Sequence, residues 1–202
     1  MSFFDVYTLI MLFTFFTLLV SKSILTSRQN QNVVALGKGK RGFSAYLEYF
    51  YYVGFIFLVY LVLISTFDKP FIFIGELFVL WEGLVFFFFF MIVQTLAIIL
   101  FSFALASFKN SWRIGVDTQT HGTLITTGVF RYSRNPTYVA MCLLFLGFFI
   151  SYSHFFFLGS AIFLPISFYH QIRKEEVLLH QLYPEAYSKY LAQTRRIFGR
   201  KR

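Results

Sequence analysis

Long apolar stretches alternate with short basic segments along most of the chain. The first stretch, residues 3–25, is almost uninterrupted, and at about 1.5 Å per residue it can cross a hydrocarbon layer of ~30 Å. Four further stretches follow, at residues 43–67, 71–108, 137–151 and 155–169. The pattern predicts an all-α, polytopic membrane protein with five transmembrane helices.

The lengths and spacing of these stretches refine the prediction. Residues 71–108 exceed one bilayer thickness, so that helix must tilt or project into water. Only residues 151–154 separate the last two spans, which predicts a helical hairpin, and the fifth helix is expected to continue into residues 171–182. The phenylalanine run at 86–90 is interpreted as a lipid-facing or packing surface.

The basic residues predict the orientation of the chain. All but one of the 18 Lys and Arg residues follow the first, third or fifth span, and Lys69 alone falls on the other side. Cytoplasmic loops carry the excess of Lys and Arg, which predicts an N-terminus outside and a C-terminus in the cytoplasm. Residues 1–5 lack a positive charge, so no cleavable signal peptide is expected.

Composition agrees with this membrane interpretation. The chain is 57% hydrophobic and 13% charged, and its net charge of +9 is attributed to topology and anionic lipid head groups, with no nucleic acid partner. Cys142 is the single cysteine, so an internal disulfide and a cysteine-built metal site are excluded. No metal site is expected from the scattered histidines.

Candidate chemistry concentrates in the second half of the chain. We divide the chain into a scaffold of three spans, residues 1–108, and a core with the hairpin and C-terminal helices, residues 109–202. Because a hairpin brings its two ends together, the polar segments 109–135 and 171–202 should meet beside an apolar wall, as in ligand sites. The polar side chains in question are Asp117, His121, Arg131, Arg134, Asn135, Tyr138, His170, Arg173, Glu175 and Glu176.

Several of these residues also have a structural interpretation. Asn135 and Pro136 suit the start of a helix, since Asn caps free N–H groups and Pro fits the first helical position. Arg131 and Arg134 could be interfacial anchors. Glu176 is spaced to meet His180 one helical turn later. Two carboxylates in the third span, Glu76 and Glu82, are costly in lipid and so are functional candidates, with a local hydrogen bond as the alternative.

A set of motifs in residues 110–198 resembles the isoprenylcysteine carboxyl methyltransferase family. The motifs are LITTGVFR at 124–131, RNPTY at 134–138 and, after the hydrophobic hairpin, KEE at 174–176 with Tyr183, Tyr187 and Tyr190. The family consists of integral membrane enzymes that use S-adenosylmethionine. The resemblance implies a cofactor site on the cytoplasmic face, built from His121, Gly122, Thr123, Leu124, Ile125, Phe130, Asn135, Pro136, Thr137, Tyr138 and Glu175.

Three positions depart from the pattern of that family. Asn135 stands where a histidine often precedes the motif proline, and the loop histidine is at His121 instead of at Gly122. The arginine that the family places against the substrate carboxylate is Gln171 here. The candidates for the substrate-facing, catalytic position are therefore Arg173, Arg134 and Gln171.

The resemblance implies methyl transfer to a lipophilic acceptor that enters from the bilayer, first of all O-methylation of a prenylated cysteine or similar lipid carboxylate. A carboxylate is already ionised at neutral pH and needs no base, and an arginine would hold it. The alternatives are a phospholipid or other amine N-methyltransferase, in which His121 or Glu176 would serve as base, and a non-enzymatic membrane scaffold. More distantly, membrane sterol reductases with a related C-terminal region use a nicotinamide cofactor.

Overall fold

The computed structural model describes residues 3–28, 53–54, 56–57, 59–64, 66–67, 84–108, 123–152 and 155–201. Its named helices are α1 (Phe3–Ser27), α2 (Leu84–Ser107), α3 (Pro136–Tyr152), α4 (Phe155–Leu182) and α5 (Pro184–Gln193), with a 3-10 helix at Gly128–Arg131. Most of the described residues between 53 and 67 are helical as well. The described part of the chain is thus mostly helical, with an isolated antiparallel bridge between Thr194 and Arg200.

Two helices are long and apolar enough to cross a membrane, α1 and residues Val85–Ser107 of α2. The apolar helix α3 has 17 residues and is shorter than such a span. The predicted first span is thus confirmed as a helix, and so is the part of the third span that falls within α2. Five transmembrane helices and the orientation of the termini stay predictions. Glu76 and Glu82 lie outside the described residues.

The predicted hairpin is confirmed: α3 and α4 pack against each other, with residues 153–154 between them. α4 runs without interruption from Phe155 to Leu182 and so continues through residues 171–182, as predicted, with Pro165 inside it. The apolar half of this helix ends at Tyr169, after which polar and charged side chains begin. One helix therefore joins the apolar core to the polar end of the molecule.

The main hydrophobic core forms where α2 packs between α1 and α3. Phe15 of α1 and Phe101 of α2 are almost fully buried, with ring centroids 4.5 Å apart, and α3 contributes Leu144, Phe145 and Phe148. Other apolar side chains of α2, such as Phe88, Phe89 and Phe103, are more than half exposed. In the phenylalanine run, buried Phe90 serves packing and the exposed rings form an outer apolar surface, in agreement with the predicted roles.

A second, smaller core lies at the polar end of the helices, the end where α2 finishes and α3 begins. Phe130, Tyr187 and Tyr190 are buried there, with Leu124 and Ile125 packed against them. Gly128 adopts φ +63°, and a Cβ at this position would lie 2.2 Å from Ser107 Oγ. Glycine is thus required where residues 123–135 pass the end of α2.

Candidate functional site

Tyr138 and Glu175 meet where the two helices of the hairpin reach the polar end. The Tyr138 hydroxyl donates a hydrogen bond to Glu175 Oε1 at 2.5 Å, between residues 37 positions apart in sequence. The Tyr138 ring packs against Phe168, with centroids 5.0 Å apart. The predicted meeting of Tyr138 and Glu175 is therefore confirmed, while their contact with a cofactor stays a prediction.

Gln171 lies beside this pair. Its Nε2 donates to Glu175 Oε1 at 3.2 Å, across one turn of α4. The residue at the position where the resemblance implies an arginine thus donates to the candidate cofactor carboxylate, and it brings no positive charge. Arg173, two positions further along α4, is exposed, and its predicted role as a substitute cation stays a prediction.

Thr137 adds an unusual feature in the first turn of α3. Its Oγ1 is buried and has no hydrogen-bond partner among the described residues. Buried hydroxyl groups nearly always have a partner, because leaving one without costs about 1–3 kcal/mol. This hydroxyl, one position before Tyr138 in sequence, leaves a hydrogen-bonding group that a ligand can satisfy. The Glu175 carboxylate fits S-adenosylmethionine, whose hydroxyl and amino groups need hydrogen-bond acceptors of this kind.

An ion cluster of three side chains, Arg134, Glu176 and Arg196, lies next to the pair. Arg134 Nη2 lies 2.6 Å from Glu176 Oε1, and Arg196 Nη2 lies 2.6 Å from Oε2. The side chains of Arg134 and Glu176 are only 6% and 12% exposed, and that of Arg196 is 28% exposed. Two cations thus share one carboxylate in a largely water-excluded position.

Electrostatics keep this carboxylate ionised. Burial by itself raises the pKa of Glu176, but the hydrogen bonds from Arg196 and Arg134 outweigh it, so the pKa falls below its ordinary value. The hydrogen bonds to Glu176 raise the pKa of Arg196. Burial and the nearby Glu176 charge raise the pKa of Tyr187 to about 12. Glu176 is therefore a poor proton acceptor near neutral pH.

The ion cluster gives Arg134 a structural task that the sequence did not indicate. Besides the pairing with Glu176, Arg134 Nη1 donates to the Thr194 carbonyl at 2.7 Å. The predicted contact between Glu176 and His180 is replaced by these two arginines, and His180 Nε2 lies 3.3 Å from Ser188 Oγ instead. The interpretation of Arg134 as a residue of the substrate site stays a prediction, but its guanidinium is already bound on two sides.

The C-terminal segment, residues 183–201, holds the loop before α3 in place through hydrogen bonds. Tyr190 donates its hydroxyl to the Phe130 carbonyl at 2.6 Å, and Asn135 Nδ2 donates to the Arg196 carbonyl at 3.0 Å. Pro136 occupies the first position of α3, as predicted. The loop and helix start that carry the candidate motif are thus held by residues some 60 positions away.

The other predicted cofactor residues are distributed unevenly. The side chain of Phe130 is buried against Phe108, with ring centroids 4.8 Å apart, and Leu124 and Ile125 pack into the same core. Thr123 is exposed. His121, Gly122 and Asp117 lie outside the described residues. For Phe130, Leu124 and Ile125 the structure therefore shows a packing role, and a contact of these residues with a cofactor stays a prediction.

Sequence reasoning missed Arg196 and Tyr169. The distribution of Lys and Arg predicts only a role in orientation for the basic tail, yet Arg196 pairs with Glu176 and its guanidinium carbon lies 5.5 Å from the centre of the Tyr169 ring. No local pattern links Arg196 to these two residues, since it lies in the C-terminal segment and they lie on α4. Among the described residues no group of three or more His, Cys, Asp or Glu side chains could hold a metal ion.

Comparison with known proteins gives one family. The family model described as phospholipid methyltransferase matches residues 81–186, more than half of the chain. It belongs to the same membrane methyltransferase superfamily as the isoprenylcysteine carboxyl methyltransferases, and its members are generally dependent on S-adenosylmethionine. No curated protein matches the chain significantly. The match spans the apolar helix α2 and the helical hairpin with Tyr138 and Glu175, and the chain therefore belongs to the phospholipid methyltransferase family of membrane proteins.

Proposed function

We propose that this protein is an S-adenosylmethionine-dependent methyltransferase that modifies a lipid amine at the polar end of its helices. The observation that carries the proposal is the Tyr138–Glu175 hydrogen bond, which joins two motif segments 37 positions apart in sequence. The family match supports methyl transfer as the reaction. S-Adenosylmethionine, when bound, would supply an activated methyl group on a sulfonium.

The residues of the chain would bind and orient the reactants. Glu175, held by Tyr138 and Gln171, would accept hydrogen bonds from cofactor hydroxyl or amino groups. Thr137 would gain the partner that it lacks among the described residues. Phe168, which packs against Tyr138, would belong to the apolar wall that excludes water. Alignment of this kind can lower a barrier by ~7–11 kcal/mol, and a methyl transfer needs little covalent help beyond it.

Charge favours an amine over a carboxylate as the acceptor. Arg134 is bound by Glu176 and the Thr194 carbonyl, and Gln171 is neutral where the related enzymes have an arginine. A carboxylate placed near Glu175 would be repelled, whereas a head-group amine would be attracted. Glu176, a base candidate from the sequence, is paired with two arginines and has a lowered pKa, which makes it unsuited to that role. His121 lies outside the described residues.

The carboxylate of a prenylated cysteine is the second candidate acceptor. The cation that could hold it is Arg173, which is exposed on the polar half of α4. An arginine there could bind a carboxylate through two parallel hydrogen bonds. In both cases the acceptor would be lipophilic, and we propose that it reaches the site from the bilayer and that the polar end faces the cytoplasm.

Binding of the cofactor is the first test. Purified protein in mild detergent should bind labelled S-adenosylmethionine and its demethylated product saturably, and Glu175→Gln should weaken that binding at least about tenfold, as expected for loss of a charged hydrogen-bond acceptor. Glu185→Gln, at an exposed carboxylate of α5, is the matched control and should bind normally. Absence of saturable binding by folded wild-type protein would favour the scaffold, and binding of a nicotinamide cofactor would favour a reductase.

The acceptor is identified by the product. Labelled methyl groups should enter the phospholipid fraction of native membranes. After mild alkali, which hydrolyses the acyl esters, the label should stay on the non-volatile head group, because an N-methyl group is stable to base. Release of the label as methanol would instead indicate a methyl ester and therefore the carboxylate acceptor. Arg173→Gln distinguishes the two candidate acceptors further. It should abolish formation of a methyl ester but have little effect on the rate of methylation of an amine.

A further inference from the structure

The last residues of the described chain fold back into a tight hairpin, which we define as residues 194–200. Thr194 and Arg200 form an antiparallel bridge, and the Arg195 backbone N–H donates to the Gly199 carbonyl at 2.8 Å. Gly199 adopts φ +116°, a conformation that residues with a side chain rarely take. This C-terminal hairpin is thus an ordered turn with a defined tip.

The hairpin is anchored to the candidate site on three sides. The Gly199 backbone N–H donates to the Tyr132 carbonyl at 2.6 Å, and the Arg134 backbone N–H donates to the Arg195 carbonyl at 3.1 Å. Arg196 reaches inward to Glu176. The backbone of the hairpin is therefore held in place, and little conformational entropy would be lost if its tip bound a partner.

The tip exposes apolar side chains that nothing described in the chain covers. Ile197 is 53% exposed and Phe198 is 67% exposed, although both are large and apolar. Tyr132, which lies against the hairpin through its carbonyl group, is 49% exposed. A fixed aromatic and aliphatic tip of this kind is typical of a surface that binds an apolar phase.

Exposed positive charge surrounds the tip. Arg195, Arg200 and Lys201 are exposed, and Arg131 is exposed beside Tyr132. Residues 194–201 contain no acidic side chain. Basic residues around exposed apolar side chains match the anionic head groups and the acyl boundary of a phospholipid leaflet.

The depth of the hairpin along the helices agrees with this partner. Arg196 lies over the ring of Tyr169, the residue at which the apolar half of α4 ends. Tyr132 and Arg134 precede the first residue of the apolar helix α3 by only a few positions. The C-terminal hairpin therefore lies at the level where α3 and α4 both pass from apolar to polar sequence. In a membrane protein this level is the head-group region.

We propose that the C-terminal hairpin is a lipid-binding element, in which Ile197 and Phe198 insert into the boundary of an anionic leaflet while Arg195, Arg200 and Lys201 bind its phosphate groups. The proposal concerns a surface outside the candidate cofactor site and does not depend on the reaction. It predicts that the tip is shielded from water in membranes, that anionic lipid increases this shielding, and that the increase depends on the basic residues of the hairpin.

The test places an environment-sensitive fluorophore on the tip of the full chain. A nitrobenzoxadiazole label is attached to Phe198→Cys in a Cys142→Ala background, and the protein is reconstituted in vesicles of phosphatidylcholine with or without phosphatidylglycerol. Acrylamide is the aqueous quencher, because it is neutral and its local concentration does not follow surface charge. Lys189→Cys, on the exposed face of α5, carries the control label.

We expect the label at position 198 to be quenched several-fold less than the label at 189, with a blue-shifted emission, and more strongly so when phosphatidylglycerol is present. Arg200→Gln with Lys201→Gln should remove the dependence on the anionic lipid. The control variant Lys174→Gln with Lys189→Gln removes two other exposed cations, and it should keep the dependence on the anionic lipid.

Two results would overturn the proposal. Equal quenching at positions 198 and 189 in both kinds of vesicle would mean that the tip is in water. Shielding of position 198 that already occurs in detergent without phospholipid, and that increases with protein concentration, would assign the tip to a contact with a second copy of the chain.

Discussion

Arg134 and Glu176 form an ion pair at the polar end of the molecule, with Arg134 Nη2 and Glu176 Oε1 2.6 Å apart. Arg134 lies in the loop before α3, Glu176 lies on α4, and Arg196 of the C-terminal hairpin binds the same carboxylate. Three separate parts of the chain thus share one acidic group. Because Glu176 follows Glu175 directly, the cluster also fixes the part of α4 that carries the candidate cofactor residue.

Loss of this shared carboxylate should destabilise the fold. Glu176→Gln leaves Arg134, a side chain only 6% exposed, without an anionic partner. Removing one member of a buried pair typically costs 3–5 kcal/mol, and the partial exposure of Arg196 places the expected loss near the lower value, at about 3 kcal/mol. The midpoint of thermal unfolding in detergent measures it, relative to Glu185→Gln, an exposed carboxylate whose removal should cost less than about 1 kcal/mol. Equal midpoints for the two variants would contradict the structural role.

Removal of the Tyr138 hydroxyl should affect cofactor binding more than stability. Tyr138→Phe keeps the ring against Phe168 but removes the hydrogen bond to Glu175. Glu175 then loses a donor that orients it, so binding of the demethylated cofactor product should weaken by about tenfold, as for the loss of one hydrogen bond to a charged group.

Tyr152→Phe is the matched control for this experiment. Its hydroxyl lies 2.7 Å from Thr66 Oγ1, at the other end of α3. Removing that hydroxyl should leave cofactor affinity unchanged, measured by calorimetric titration of both variants. Similar losses of affinity in the two variants would show that the Tyr138 effect is indirect and would weaken the assignment of Tyr138 to the binding site.

The meeting of Tyr138 and Glu175 could be predicted because two strong sequence signals combine. Residues 137–151 and 155–169 are continuous apolar runs, and the short link between them leaves an antiparallel hairpin as the simplest arrangement. In such a hairpin the residue that starts one helix must lie near the residue that ends the apolar half of the other. Pro136 then fixed the start of α3.

The ion cluster could not be predicted in the same way. Arg134, Glu176 and Arg196 lie 42 and 20 positions apart and share no helix turn or motif spacing, so a count of charges is compatible with many pairings. For the same reason Glu176 was expected to contact His180, its neighbour one turn along α4. The C-terminal hairpin folds back and brings Arg196 to Glu176. This arrangement depends on tertiary contacts such as the hydrogen bond from Tyr190 to the Phe130 carbonyl.

The contact between α2 and α3 gives a prediction for the apolar core. A Cβ at Gly147 would lie 2.5 Å from Cγ of Gln94, a side chain that is fully buried. Gly147→Ala should therefore clash with the Gln94 side chain and cost about 1–3 kcal/mol by overpacking. Gln94 Oε1 has no partner among the described residues, so shortening this side chain removes the clash and also a buried polar atom.

A double-mutant cycle measures that contact. Gln94→Ala should restore most of the stability lost in Gly147→Ala, so that the two changes together are markedly less harmful than the sum of their separate effects. Thermal unfolding of the four proteins in one detergent gives the coupling energy. Additive effects would mean that the helices move to accommodate the new methyl group without involving Gln94.

Acidification should remove the stability that Glu176 contributes. Arg196 and Arg134 lower the pKa of this carboxyl below its ordinary value of 4.5 against the effect of burial, so the folded protein binds the proton more weakly than the unfolded chain. The contribution of Glu176 is therefore complete above about pH 5 and is lost as the pH falls below 4.5 through the lowered pKa of the folded state. Glu176→Gln has no proton to bind at that position, so its stability should not change for this reason. The wild type should lose stability in this range, and the unfolding midpoints of the wild type and the variant should converge. A difference between them that stays constant from neutral pH to pH 3 would show that the charge of Glu176 does not stabilise the fold, and that packing of the side chain accounts for the effect of the substitution.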